Sequence, residues 1–286
     1  MIADAALPPV WIVGGGRLGR ALRAALAEGG TGAILWPGRQ AAAGGPPPAG
    51  APPELLFLSV PDGALPALAR ALARMLEAGG RPPVLHSSGA HGAEVLGPLA
   101  EAGFPTGSCH LLQSFPESGG GSELFRGIVM AIDGQPPAQE AARDLAMRLG
   151  ATAVEVPSDR RALYHLAASL AANGLVGLLG AAMDALTGAG FTPDAARTAL
   201  APLSREALTR AFSVGPAAAL TGPVARGDRD TLERHRGALR SWDATRLALY
   251  EALVREQERL SPGVTRGVRW FARNHEADQE TPGKPR

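Results

Sequence analysis

The apolar run Val10-Trp11-Ile12-Val13 leads straight into Gly14-Gly15-Gly16-Arg17-Leu18-Gly19, and Leu18 to Leu26 then places Ala and Leu at helical spacing. Strand, glycine turn and helix in that order leave few folds open. Gly14 permits a tight turn, Gly16 lets backbone N–H groups approach a phosphate at the helix start, and Gly19 lets the helix pack closely on its strand. The motif is short and the chain holds 37 glycines, so the surrounding pattern decides its weight.

That pattern is alternating. Further short apolar runs at Ala33–Trp36, Leu55–Val60, Pro83–His86, Thr106–His110, Ile128–Ile132 and Thr152–Val156 read as strands. Helical spacing recurs at Gly63–Glu77, Ala93–Ala102 and Pro137–Leu149, while Gly44–Pro53 is too rich in Pro, Gly and Ala to be regular. The prediction is an α/β fold: a Rossmann-like, doubly wound, mostly parallel sheet. After Pro157 the strand signals stop, and long helical patterns run over Arg160–Leu186, Thr192–Phe212, Asp230–Trp242 and Ala244–Leu260, with a shorter one near Val264–Asn274. The third opens on Asp230-Thr231-Leu232-Glu233, a capping-box spacing. Expected domains are therefore 1–157, a Rossmann domain; 158–275, an all-α domain for substrate binding and dimerisation; and 276–286, a disordered tail.

Composition narrows the partners. With 28 basic against 27 acidic residues, no net field recruits nucleic acid or an anionic membrane, and a small-molecule substrate is expected instead. The single cysteine, Cys109, excludes an internal disulfide and suits a reducing, cytoplasmic setting, as does the lack of an export signal in Met1–Pro9. No Asp, Glu, Lys or Arg lies between Ala162 and Met183, but His165, Ser169, Asn173 and many Ala and Gly favour a buried helix of a soluble domain over a membrane span.

An acidic residue gripping the ribose 2′-OH of NAD belongs about 20 residues beyond the glycines. None lies between Glu28 and Glu54, whereas Arg39 stands just past the second strand, placed to pair with a 2′-phosphate. NADP(H) is thus expected over NAD, unless Arg39 is a solvated loop residue. The cofactor set is Gly14, Gly15, Gly16, Arg17, Leu18, Gly19, Arg39, Val60, Pro61 and Ser88.

Ligands of open α/β sheets bind beyond the carboxyl ends of the strands, where Ser59-Val60-Pro61-Asp62, His86-Ser87-Ser88-Gly89-Ala90 and Ser108–Pro116 fall. His86 and His110 there either serve the substrate or bond a backbone carbonyl. On the long helix His165, Ser169 and Asn173 are four apart and drift only about 80° around the axis, so they share a face that either looks into an interdomain cleft or is a satisfied core. Gly174, Gly177 and Gly180 suggest close helix packing, including across a dimer. Thr221, Arg226, Asp228 and His235 are further substrate candidates, from a segment at 219–228 too rich in turn formers for a helix; Arg226 and Asp228 alternatively form a local ion pair. The six histidines lack a close ligand spacing beyond His86 and His91, and no carboxylate cluster accompanies them, so no metal is expected.

With Val13–Gly19, Ser59–Asp62, His86–Ala90, Tyr164-His165, Asn173 and Leu220–Asp228 assembled, the chain resembles, over about residues 10–260, a bacterial oxidoreductase-like family joining a Rossmann-like domain to a helical domain of unknown function (2520). More distantly it is similar to the 6-phosphogluconate dehydrogenase, ketopantoate reductase and pyrroline-5-carboxylate reductase group. The resemblance implies an NADP-binding first domain and a helical second domain that forms a homodimer. That group's hydroxyacid dehydrogenases carry a lysine one turn before an asparagine; here Ser169 precedes Asn173, and the sole lysine is Lys284 in the tail. Proton transfer then falls to His110 or His165, with Asn173, Ser169 and Ser88 orienting the substrate. The expected function is an NADP-dependent oxidoreductase for a small polar carbonyl, imine or hydroxy substrate; the rival is a non-catalytic NADP(H)-binding sensor or assembly protein.

Overall fold

The computed structural model describes residues 9–76 and 80–261. Glu77, the short helical pattern near 264–274 and the tail at 276–286 lie outside the described residues. The chain forms two compact units, Met1–Leu175 and Val176–Arg286.

The first unit is built on seven strands: β1 (Val10–Val13), β2 (Ala33–Trp36), β3 (Leu55–Leu58), β4 (Val84–His86), β5 (Thr106–Leu111), β6 (Val129–Gly134) and β7 (Thr152–Glu155). Their order across the sheet is β2-β1-β3-β4-β5-β6-β7, parallel except where β5 meets β6. The mostly parallel doubly wound sheet read from the sequence is therefore the observed fold. The chain reverses direction of progress between β1 and β3, which opens a crevice at their carboxyl ends. Backbone bonds close that edge: Gly14 N–H donates to Trp36 O at 2.9 Å and Ser59 N–H to Val13 O at 2.8 Å.

Both faces of the sheet are covered, which explains why its strands are continuous apolar runs rather than alternating ones. Val10 and Ile12 join Leu22, Leu26, Phe57, Leu85, Cys109, Met130 and Leu145 on one side, under helices α1 (Arg17–Glu28) and α5 (Pro136–Leu149). Trp11 and Val13 join Trp36, Leu56, Leu58, Leu68, Leu72 and Phe104 on the other, where α2 (Gly38–Ala42), α3 (Leu65–Met75) and α4 (Gly97–Glu101) lie. Trp11 meets Trp36 edge-to-face at 5.9 Å between ring centres, an arrangement worth about 1 kcal/mol beyond burial. The five-residue α2 was not expected, because its Ala and Gly content resembles the loop that follows.

From Ser158 the chain is helical: a 3-10 turn (Ser158–Arg160), α6 (Arg161–Ser169), a π turn (Leu170–Gly174) and α7 (Leu175–Gly188). Over this 31-residue stretch the most apolar window has mean hydropathy 1.7, so by length and composition it could cross a membrane. Its Ala162–Met183 part was expected to be buried, but Leu163, Leu166, Leu170 and Val176 are 66%, 51%, 63% and 69% exposed. Apolar spacing reports that a face must be covered, not that the same chain covers it.

The second unit continues with α8 (Pro193–Val214), α9 (Pro216–Ala219), α10 (Pro223–Arg226), α11 (Arg229–Trp242) and α12 (Ala244–Leu260). α10 is one helical turn inside the 219–228 segment expected to be irregular; Pro223 at its start supplies the preset φ and Gly227 ends it at φ +66°. The cap of α11 is Asp228, two residues before the predicted box: its carboxylate accepts from Thr231 N–H at 3.1 Å and Thr231 O–H at 2.8 Å. Ion pairs Arg246–Asp184 and Arg236–Glu251 link α7 and α11 to α12. Among the described residues only Ala196, Leu232 and Val254 are buried apolar side chains in this unit.

Candidate functional site: the carboxyl edge of the sheet

The glycine turn has two kinds of glycine. Gly14 sits at φ +116°, and a Cβ there would overlap the Ser59 carbonyl; a Cβ on Gly19 would overlap the Gly14 carbonyl. Those two glycines let β1, β3 and α1 come together. Gly15 and Gly16 face open space, and Gly16 begins α1 with no side-chain cap and no acidic residue in the first turn. The amino end of a twelve-residue helix therefore presents bare N–H groups at the crevice, the arrangement that binds a pyrophosphate. Val60 Cγ1 lies against the backbone of Gly14 and Gly38, walling the turn.

The remaining predicted cofactor residues surround that turn unevenly. Arg39 is exposed in the first turn of α2 and makes no ion pair among the described residues, so its guanidinium is available at the end of β2. Arg17 instead reaches Glu117 at 3.4 Å. Pro61 is exposed after β3, and Leu18 packs beside the apolar cluster beneath α1. Ser88 is buried and its hydroxyl accepts from His91 N–H at 3.2 Å, which shapes the loop after β4.

His86 is fully buried, and both ring nitrogens are engaged: Nε2 bonds Gly92 O at 2.9 Å while Nδ1 accepts from Ser88 N–H at 3.2 Å. The imidazole thus pins the 87–92 loop in place. Burial, with a smaller contribution from the Arg161 charge, pushes its pKa down to about 4, against the bond to Gly92 O. Because the folded value lies below the ordinary 6.5, the unfolded chain binds this proton first as pH falls. Stability is present above pH 6.5 and drains away towards pH 4, by about 3 kcal/mol for a shift of this size. Urea unfolding at pH 7.5 and at pH 4.5 is expected to differ by at least about 2 kcal/mol; equal midpoints would contradict the neutral buried ring.

The densest chemistry is at the end of β5. His110 Nδ1 and Tyr164 Oη lie 2.8 Å apart, with the rings edge-to-face at 5.4 Å. His165 crosses the His110 ring at 5.8 Å, and its Nδ1 is buried without a hydrogen-bond partner among the described residues. Gly89 supplies the space for this cluster: a Cβ there would stand 2.5 Å from His165 Nδ1 and 2.9 Å from His110 Nε2. His110 and His165, singled out separately in the sequence, are thus brought together. Tyr164 was quoted only as part of a motif and given no role. Its signal was its place one turn after Arg161, on the helix face that turns inward.

Arg161 is the other residue that sequence reasoning missed. It is fully buried, donating to Val156 O and Ala131 O at 3.2 Å each, while its Nη1 has no partner among the described residues. Burial, the neighbouring His165 and the Arg161 charge, in that order, push His110 down to about 4. Tyr164 is pushed up to about 12 by burial. At neutral pH the His110 ring is therefore uncharged and the Tyr164 phenol protonated.

Ser169 is half-buried at the end of α6 and Asn173 is exposed inside the π turn. A π turn contains more residues than an α turn, so each residue rotates less and the drift from His165 to Asn173 is smaller than the expected 80° or so. Thr221 and Arg226 are exposed in the second unit, Asp228 caps α11 without pairing with Arg226, and His235 Nδ1 bonds Tyr250 Oη at 2.8 Å.

Family models match the chain twice: a Rossmann-like domain over residues 45–110 and a domain of unknown function, DUF2520, over residues 128–257. The chain therefore joins a Rossmann-like domain to a DUF2520 domain. Solved structures reproduce this fold across nearly the whole Rossmann–DUF2520 chain. Protein TM1727 from Thermotoga maritima is 22% identical, covering 89% of this chain and 98% of its own, with TM-score 0.67. The candidate NADP oxidoreductase BF3122 from Bacteroides fragilis is 21% identical, covering 88% and 98%, with TM-score 0.69. The imine reductase of Aspergillus terreus, in complex with NADPH4 and dibenz[c,e]azepine, is 17% identical, covering 88% and 94%, with TM-score 0.59. No curated protein sequence matches the Rossmann–DUF2520 chain.

Proposed function

We propose that this Rossmann–DUF2520 protein is an NADP(H)-dependent oxidoreductase acting on a small polar carbonyl, imine or hydroxy compound. The reading rests on one observation: an uncapped helix amino end, cleared by Gly15 and Gly16, shares the carboxyl edge of the sheet with the hydrogen-bonded His110–Tyr164 pair. The fold-mates named for NADP and for imine reduction support it. The α1 N–H groups hold the pyrophosphate, and Arg39 meets the 2′-phosphate that distinguishes NADP from NAD. The reduced nicotinamide supplies a hydride when bound. Tyr164, His110 and His165 stand where the accompanying proton is handled.

Arg39→Ala is expected to weaken NADPH binding about tenfold, the worth of one charge-assisted contact, with NADH binding changed less than about twofold. Isothermal titration of both nucleotides checks this, and an unchanged affinity ratio removes Arg39 from the site. A broad panel of aldehydes, ketones and cyclic imines tests turnover. Tight NADPH binding without oxidation of the nucleotide by any of them is the sensor's result.

The second unit supports a homodimer formed through its helices, the protein working as a soluble cytoplasmic enzyme. Val176, Leu203, Phe212 and Val214 are 69%, 67%, 86% and 57% exposed, and an apolar groove of about 720 Å³ runs between α7, α11 and α12, floored by Ala181, Ala185, Leu239 and Leu253. Among the described residues of this unit three apolar side chains are buried, a small core for its helices. Among the described residues a Cβ on Gly177 or Gly180 meets nothing within 4 Å, so these two small residues leave that helix face open. Gly177→Glu is expected to convert a dimer to monomer or to an unfolded second unit by analytical ultracentrifugation; a wild-type monomer at micromolar concentration contradicts the dimer.

A further inference from the structure

Resting on the oxidoreductase reading, we propose that Tyr164 is the group that hands the proton to the substrate heteroatom, and that His110 reloads it through their shared hydrogen bond. The geometry places both on the carboxyl edge that carries the glycine turn, since β1, β3, β4 and β5 are parallel and end there. His110 Nδ1 lies 2.8 Å from Tyr164 Oη, and the edge-to-face rings hold that contact in one orientation. The Cδ2–Nε2 edge of His110 packs against Gly89, where a Cβ would come within 2.9 Å of both atoms, and the ring is half-buried rather than sealed from water.

The choice between the two rings follows from which carries a proton. Charged and titratable groups around His110 are His165 and Arg161, which disfavour its protonation, and Asp62, which favours it by a smaller amount. With a value of about 4, the imidazolium makes up about one part in 1000 at pH 7. Tyr164 keeps its proton up to about pH 12, yet a developing alkoxide or amide anion is a stronger base than tyrosinate and takes that proton downhill.

The step balances as follows. Once the substrate carbon has accepted a hydride, the electron pair displaced onto its oxygen or nitrogen forms a bond to the phenol hydrogen as the Tyr164 O–H bond breaks. The phenolate oxygen takes the Nδ1 proton of His110 as Nε2 binds a proton from water. Neutral phenol is restored with the imidazole proton moved from Nδ1 to Nε2, and exchange with water returns the starting tautomer. One proton passes from solvent to substrate, and no other oxidant or reductant is needed. The resting ring is therefore the Nδ1–H tautomer, donating to Tyr164 Oη and leaving the phenol hydrogen free.

Two measurements test this. Nitrogen-15 spectra of the cofactor-free protein are expected to show His110 as the Nδ1–H tautomer, with its shifts moved in Tyr164→Phe; an Nε2–H ring that accepts from Tyr164 overturns the proposal whatever the activity. Single-turnover oxidation of NADPH by a substrate found for the wild type is expected to slow about 100-fold in Tyr164→Phe, with NADPH affinity and melting temperature nearly unchanged. A rate within threefold of wild type overturns it. Failure of the wild type to bind NADPH is a different result, which overturns the oxidoreductase reading and leaves the tautomer to be judged from the spectra.

Discussion

Gly14→Ala is expected to destabilise the protein by about 3–5 kcal/mol and abolish nucleotide binding. Two costs add: a residue with a side chain at φ +116° is strained, and the new Cβ would overlap the Ser59 carbonyl, which belongs to backbone rather than to a side chain able to swing away. Ser59 N–H is itself tied to Val13 O, so neither strand can retreat without breaking the bonds that set the crevice. In a chain of this size the melting temperature should fall on the order of 10 °C. Gly16→Ala is the control that separates stability from binding. Its Cβ points into open space at a residue with φ −68°, so folding should change by less than about 1 kcal/mol while NADPH affinity drops at least about tenfold. Scanning calorimetry and titration of both variants check the pair; equal destabilisation would mean that the two glycines share one structural task.

Gly89→Ala is expected to lower turnover about 100-fold with little change in NADPH affinity. The added methyl would stand 2.5 Å from His165 Nδ1 and 2.9 Å from both Cδ2 and Nε2 of His110. Both rings must give way, and His110 cannot turn without losing its 2.8 Å contact with Tyr164. A displacement of about 1 Å in a proton-handling group costs on the order of 100-fold in rate. The pyrophosphate end of the crevice, at Gly15 and Gly16, does not involve Gly89 and should bind as before. Loss of nucleotide binding without loss of rate per bound molecule would place Gly89 in the cofactor site instead.

The two glycines differ in how they could be read from the sequence. Gly14 was legible because its neighbours in sequence are its neighbours in function: an apolar strand, a turn and a helix are all local. Gly89 carried no such pattern, since its requirement comes from His110 and His165, residues 21 and 76 positions away. Tyr164 and Arg161 were missed for the same reason. Local spacing puts them on one helix face, but only the sheet edge beneath makes that face a cluster of buried titratable rings.

The exposed helix between Ser158 and Gly188 marks the other boundary of sequence reading. Its apolar content demanded a partner, and proximity to its own chain was the simplest expectation. The structure leaves Leu163, Leu170 and Val176 uncovered within one chain, because hydrophobicity is non-directional and does not specify which surface answers it.

By itself the sequence determined the doubly wound sheet, the helical remainder and the glycine turn, since each rests on periodicity or on backbone freedom that short segments express alone. It also determined that no lysine lies among residues 1–261. Only the tertiary structure decided that His86 is a loop pin, that Asp228 is a helix cap, and that His110, Tyr164 and His165 form one cluster. Those assignments depend on which nitrogen or oxygen already has a partner, a property of assembled neighbours rather than of any residue or spacing.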